Sequence, residues 1–295
     1  LILRSHNTMS LKHLIKNALH SVGIDISRVS ENKPPPVLDD LRETIHKQNI
    51  GRPSAHNTPI NKCRTVSGLS FGDFGWHPFV ELTKQLKRNE NTSYRDSILK
   101  QYYTAWTPSN SYDALLGTKA PLYLKEYPAY TLHHPLQNLS PDEREAFMRI
   151  NIKDENMWSA NSDITENEGY GLQGPVSERK GEIEFNRVRK LYLNINRNGY
   201  RRNHNDGDIT AIAVLHKGEE RFLISHGQHR AAVAAGLGFS HVPMKIISVY
   251  DTQHVEHWPQ VFTNFWSPEE TLSYVEHLYS FNARAWARSL RLASK

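Results

Sequence analysis

Apolar positions are most regularly spaced between residues 181 and 250. EFNRVRKLYLNINRNGY puts Phe185, Val188, Leu191, Tyr192 and Ile195 on one face of a predicted helix, which Gly199 closes. DITAIAVL and ERFLIS read as strands joined through the turn residues His216-Lys217-Gly218-Glu219. HRAAVAAG follows as a helix ended by Gly236 and Gly238, and VPMKIISVY as another strand. This order of helix, strand, hairpin, strand, helix and strand predicts a small α+β, or mixed α/β, core with a mixed sheet.

The flanking pattern adds helices on both sides. SLKHLIKNALHSVGIDISRV spaces Leu11, Leu14, Ile15, Ala18, Leu19 and Val22 helically, opposite Lys12, His13, Lys16, Asn17 and His20. Residues 10–23 therefore read as a basic amphipathic helix, suited either to an anionic membrane face or partner, or to docking on its own domain. Prolines 34–36, 53 and 59 interrupt a stretch thin in apolar residues, so 27–65 reads mostly as linker. HPFVELTKQLKRN and TSYRDSILKQYYTAW predict two helices, the second with Tyr94, Ile98, Tyr102 and Ala105 in register. Residues 117–180 are rich in loop formers, with a helix starting at the capping box Ser140 to Glu143. A second capping box, Ser267 to Glu270, opens a helix expected to run through TLSYVEHLYSFNARAWARSL, with Tyr274, Leu278 and Phe281 as a core or homodimer stripe. The expected division is a helix and linker over 1–65, a helical and loop-rich accessory region over 66–180, the core over 181–250 and a helical extension over 251–295.

Composition sharpens this reading. With 38% hydrophobic residues and a mean hydropathy of −0.62, the 295-residue chain is expected to contain poorly packed segments. Its single cysteine, Cys63, excludes an internal disulfide framework and a multi-thiolate metal site. There is no apolar run of the roughly 20 residues that cross a bilayer and no signal-peptide pattern, so a cytoplasmic protein is expected, with the inner membrane face as the site for the 10–23 helix. The net charge of +5 is spread among mixed signs, which favours a small phosphorylated ligand or anionic surface over extended DNA binding.

The stretch LISHGQHRAAVAAGLG carries the chemistry. A strand stopping at Ser225, a glycine at 227 and a helix beginning near His229 converge free amides and the positive end of a helix dipole, an arrangement that anions favour. Ser225, His226, Gly227, Gln228, His229 and Arg230 are the candidate phosphate-binding residues, with Arg230 supplying a planar charged fork and His229 a donor that follows pH. The plainer reading is that glycine often precedes a helix and that a first-turn arginine is often solvated.

ERFLISHGQHRAAVAAGLGFSHVPMKII, with RKLYLNINRNGY and ITAIAVL before it, resembles the ParB/sulfiredoxin superfamily. There, a strand, a Gly-x-x-Arg turn, an alanine-bearing helix and a further strand form a nucleotide site. Sulfiredoxins carry a cysteine where Gln228 stands, which argues against sulfinic acid reduction. Partitioning ParB proteins carry Gly-Glu-Arg-Arg and a following helix-turn-helix reader, of which no convincing pair is seen here. The turn is most similar to that of the superfamily's free serine kinases, Asp-Gly-His-His-Arg, sharing Gly227, His229 and Arg230, with His226 in place of the aspartate. SILKQYYTAWTPSNSYDALLG and GPVSERKGEIEFNRVRKLYLNINRNGY are similar to ParB-like proteins encoded among bacterial cell-envelope polysaccharide genes. The resemblance implies a kinase-like phosphotransferase using ATP, ADP or CTP with Mg2+ and acting on a small hydroxyl acceptor or glycan precursor. A nucleotide-gated switch and a phosphodiesterase or nuclease are the alternatives.

A kinase needs an acceptor-activating group, for which Glu182, Glu184 and His229 are candidates. The two glutamates share a side if their stretch is extended but diverge by about 200° in a helix, where they equally suit the dipole. Asp206 and Asp208 are alternatives in a turn. Arg187 fits an intrahelical pair with Glu184 or a second phosphate clamp. His254 and His257 have metal-like spacing without further placed ligands. Ser177 and the glycines over 169–174 fit a lid or a connection. Neither GxxxxGK[ST] nor GxGxxG occurs, which removes P-loop and Rossmann sites.

Overall fold

The computed structural model describes residues 34–73, 75–158 (backbone alone from 153), 164–202 and 208–294. The basic helix read over 10–23 and Asp206 lie outside the described residues. Helix, strand, hairpin, strand, helix and strand follow in the predicted order: α6 (Glu178–Asn198), β4 (Ile209–His216), β5 (Glu219–His226), α7 (Gln228–Leu237) and β6 (His241–Asp251). Gly199 closes α6 at φ 71°, and Lys217 and Gly218, both at positive φ, turn the β4–β5 hairpin.

The stretch read as linker is instead part of the sheet from its N-terminal edge. β1 (Val37–Leu38), α1 (Leu41–Asn49), β2 (Ala55–Pro59) and β3 (Cys63–Arg64) all fall before residue 65. The six strands lie in the order β1-β2-β6-β4-β5-β3. β2 runs antiparallel to β6, with His56 opposite Met244, and β3 runs parallel to β5. The prolines misled because Pro59 ends β2 and Pro53 precedes it, positions at which a missing amide donor removes little from the ladder. Ala55, Thr58 and Cys63 are fully buried, so the boundary drawn at 65 cuts through the core, and Pro35–Lys295 forms one compact unit.

Both sheet faces are covered, because alternate residues point opposite ways. Ala211, Ala213, Phe222 and Ile224 enter one core with α2 (Pro78–Arg88), α3 (Ile98–Ala105), α6 and α7. Val214 and Leu223 enter a second core, with Leu115 after α4 (Ser111–Ala114), Leu132, and Tyr274 and Leu278. Between these come α5 (Pro141–Trp158), started by the predicted Ser140–Glu143 capping contacts, and α8 (Pro259–Phe262).

Two helix boundaries differ from expectation. The C-terminal helix is two: α9 (Pro268–Ser280) and α10 (Ala283–Ser289), separated where Phe281 turns extended at φ −61°, ψ 121° and Asn282 caps the second helix through Ala285 N. Tyr274 and Leu278 are fully buried in the core. Gly236 does not end α7 but lies inside it, where an added Cβ would meet Thr83 of α2 at 2.5 Å; Gly238, at φ 98°, is the cap.

Candidate functional site

The site is assembled where α6, α7 and the 170–172 strap meet the end of β5. Gly227 leaves β5 in the left-handed region, φ 82° and ψ 24°, and becomes the N-cap of α7 with no side chain capping the helix amides. A Cβ there would stand 3.0 Å from Ile209 Cγ1 and 3.2 Å from Arg230 Nη2. The glycine is therefore required by conformation and by space, and the Arg230 guanidinium lies back against the turn. Ala231 to Ala235 are all buried, so α7 is fixed between the sheet, α2 and α6.

One carboxylate anchors the site. Glu184 on α6 is 1% exposed and meets three positive or hydrogen-bonding groups: Lys180 Nζ at 2.9 Å and Arg187 Nη1 at 3.0 Å on Oε1, and His229 Nε2 at 2.8 Å on Oε2. Burial pushes its carboxyl upward, but the His229 hydrogen bond and the charges of His229, Lys180 and Arg187 outweigh this and hold it well below the usual carboxylate range. Glu184 is thus an ionised, saturated group and no longer a base. Arg187 forms the intrahelical pair, which is the plainer of its two readings.

Because an ionised carboxylate only accepts, the His229 nitrogen facing Glu184 carries a proton. The other ring nitrogen, Nδ1, has no protein partner among the described residues. The ring stacks on Phe79 of α2, centroids 4.4 Å apart and 22° between planes. Beneath it, His77 caps α2 by accepting from Phe79 N at 3.2 Å, and burial with the nearby charge of His229 pushes it down to about 3. Ring orientation and tautomer are therefore both set by neighbours.

The other predicted residues fall as follows. Glu182 is exposed on α6, turned from Glu184 as helical geometry requires, so the extended reading of GEIEF does not hold and Glu182 is outside the site. Asp208 is held bidentately by Arg202 at 2.8 and 2.6 Å. His226 is exposed and hydrogen-bonds Thr210 Oγ1 through Nδ1 at 3.2 Å, while Thr210 and Ser225 hydroxyls bond at 2.8 Å. Gln228 reaches Ile224 O at 3.4 Å and leaves its Oε1 buried without a partner.

The strap is tied to α3 and packed on Glu184. Tyr102 and Tyr103 of α3 donate to the Leu172 and Gly171 carbonyls at 2.6 and 2.5 Å, and a Cβ on Gly171 would come within 2.7 Å of Glu184 Cδ. Ser177 caps α6 by accepting from Lys180 N at 3.0 Å. Tyr170, Leu172, Glu184, Ser225, Gly227 and His229 are among the walls of a cleft of about 140 Å³. Lys180, His77, Phe79 and Tyr103 were not singled out in the sequence, and Tyr102 was read only as a helix-face residue. Only Lys180 left a trace, its i,i+4 spacing to Glu184.

The carboxylates present do not build a magnesium site: Glu184 is saturated, Glu182 is elsewhere and Asp208 is taken by Arg202. Among the described residues no group of three or more His, Cys, Asp or Glu could hold a metal, and His254 and His257 are exposed rings stacked 6.5 Å apart. No described helix is long and apolar enough to cross a membrane. Comparison with protein-family models, curated proteins and solved structures returned no match.

Proposed function

We propose that this chain binds the phosphate end of a nucleotide at the Ser225–Ala231 turn and transfers a phosphoryl group to a small hydroxyl acceptor. The observation that supports this most is the Glu184–His229 hydrogen bond beside a helix N-terminus that no side chain caps. Uncapped amides and Arg230 offer donors to phosphate oxygens. His229, tautomer fixed by Glu184, takes the acceptor's proton at Nδ1 as the acceptor oxygen bonds to phosphorus. The bridging P–O bond to the donor breaks and its oxygen keeps the electron pair. ATP, ADP and CTP are the candidate donors, and the resemblance of the turn to free serine kinases suggests serine or a glycan-precursor hydroxyl as acceptor. Magnesium, if required, comes with the nucleotide and not from carboxylates of this site.

A second reading is a nucleotide-gated switch, favoured by one feature: Glu184 is neutralised by three neighbours, which suits holding a ligand as well as reacting with it. Both readings are tested by adding ATP, ADP, CTP or GTP, with and without magnesium, and following thermal stabilisation and phosphate transfer to candidate acceptors. Transfer supports the phosphotransferase, while stabilisation without turnover in every mixture supports the switch. Cleavage of added oligonucleotides would point to a nuclease instead. Arg230→Ala is expected to lose the nucleotide-induced stabilisation while keeping the native far-ultraviolet spectrum; unchanged affinity would remove the site.

A further inference from the structure

We propose a second binding site, separate from the Ser225–Ala231 turn, that takes a small anion carrying two or more charges as phosphate or carboxylate groups. It is the cleft of about 360 Å³ between α2, α3 and α10, lined by Arg88, Arg284 and Arg288, with Trp76 and Glu81 among its other walls. It shares no described wall with the cleft at Glu184 and His229.

Charge decides what such walls hold. Three guanidinium groups line one concavity against a single carboxylate, Glu81, and Lys84 already holds that carboxylate at 2.9 Å. None of the three arginines has an ion pair among the described residues. Like charges gathered in this way repel, and a bound anion removes that cost. Arg88 and Arg288 each stand in the last turn of their helix, where the dipole favours a cation. Arg284 does not: it is the second residue of α10, the end at which a cation is disfavoured. Helix termini alone therefore do not account for the cluster.

Two of the forks are already anchored, so a ligand does not have to order all three. Arg284 donates from Nη2 to Asp73 O at 2.7 Å and from Nε to Gly75 O at 3.4 Å, and Arg288 donates from Nε to Ser294 O at 2.9 Å. Arg284 Nη1, both Arg288 Nη atoms and the Arg88 guanidinium have no protein acceptor among the described residues. Gln85 ties α2 to the start of α3, donating to Asp96 O at 3.0 Å and accepting from Ile98 N at 2.9 Å, which fixes that wall. A further donor stands at the inner wall: Trp76 is 2% exposed, and its indole N–H is buried with no hydrogen-bond partner. Planar forks of paired N–H groups match the oxygens of phosphate and carboxylate two at a time. A neutral or cationic ligand would leave the charge of these walls uncompensated.

The test uses the Arg230→Ala chain, in which the turn no longer serves as a phosphate site, with inorganic pyrophosphate and citrate as probes in titration calorimetry. One equivalent of probe is expected to bind. Arg88→Ala and Arg288→Ala are each expected to weaken it about tenfold to a hundredfold, as losing a hydrogen bond to a charged group does. Arg88 makes no described hydrogen bond, so Arg88→Ala should unfold at the native urea midpoint. Arg88→Lys, which keeps the charge but not the fork, should recover part of the loss. Tighter pyrophosphate supports a phosphate site, and tighter citrate a carboxylate site. With Arg230 intact, the Arg88→Ala/Arg288→Ala chain should keep any nucleotide-induced stabilisation, so the two sites fail separately. Binding of neither probe, or affinities unchanged by both alanine substitutions, overturns the proposal whatever happens at the turn.

Discussion

Glu184 is the residue on which the most depends, because burying it is acceptable only while its three partners remain. Glu184→Gln keeps the shape but removes the negative charge that Lys180, itself 1% exposed, meets at 2.9 Å. A loss of about 3–5 kcal/mol in unfolding free energy is expected by urea denaturation, and a Lys180→Met/Glu184→Met double variant should lose less than Glu184→Gln alone. His229 sits nearer the surface, and a glutamine amide in its place can still donate to Glu184, so His229→Gln should fold normally. In the phosphotransferase reading, His229→Gln lowers kcat by about 10²–10⁴ with little change in nucleotide affinity, measured by steady-state transfer and titration calorimetry. Gly227, His229, Arg230 and Glu184 could be picked from the sequence, since a strand-glycine-helix transition has a local signature. His77 and Phe79 could not, because they reach the site only through the packing of α2 on α7, which no local spacing encodes.

Among the elements, α7 shows how close approach replaces propensity. Helix formation alone favours alanine over glycine by about 1 kcal/mol in mid-helix. At Gly236 the sign reverses, since a methyl would sit 2.5 Å from Thr83 Cβ and 3.0 Å from the Val80 carbonyl. Gly236→Ala is expected to lower the thermal midpoint, while Gly218→Ala, with open space at φ 80°, should produce only the milder strain of its backbone. Equal midpoints for the two variants would contradict the α2–α7 contact. The same closeness explains the misread end of α7, because a glycine needed for packing looks in sequence like one needed for termination. The boundary at residue 65 failed for another reason. β2 is short and carries His, Asn, Thr and Pro, so its strand character comes from pairing with β6 and not from its own composition.

For the whole molecule, buried histidines make stability depend on pH. His77 is pushed down to about 3 and His133 to about 4, both first by burial, and His134 falls well below its ordinary value for the same reason. Unfolded histidines protonate near 6.5, so between that pH and the folded values the unfolded chain binds more protons than the native one. Stability is therefore full above about pH 6.5 and falls as the pH drops, by about 1.4 kcal/mol per unit for each such histidine. Urea midpoints measured from pH 7.5 to 5 should fall steadily, and His133→Gln should make the fall shallower; a flat profile would contradict these burials. The mean hydropathy suggested loose segments, yet polar residues such as His56, His77, His134 and Gln173 occupy interior positions, so the core is larger than the apolar count implies.

The pairing of β2 with β6 also governs how the protein must be made. His56 leaves the ribosome long before Met244 exists to meet it, so during synthesis the early strand waits with one side open to any other nascent peptide. A chain halted before Ser240 would keep that side exposed for good and should collect in inclusion bodies.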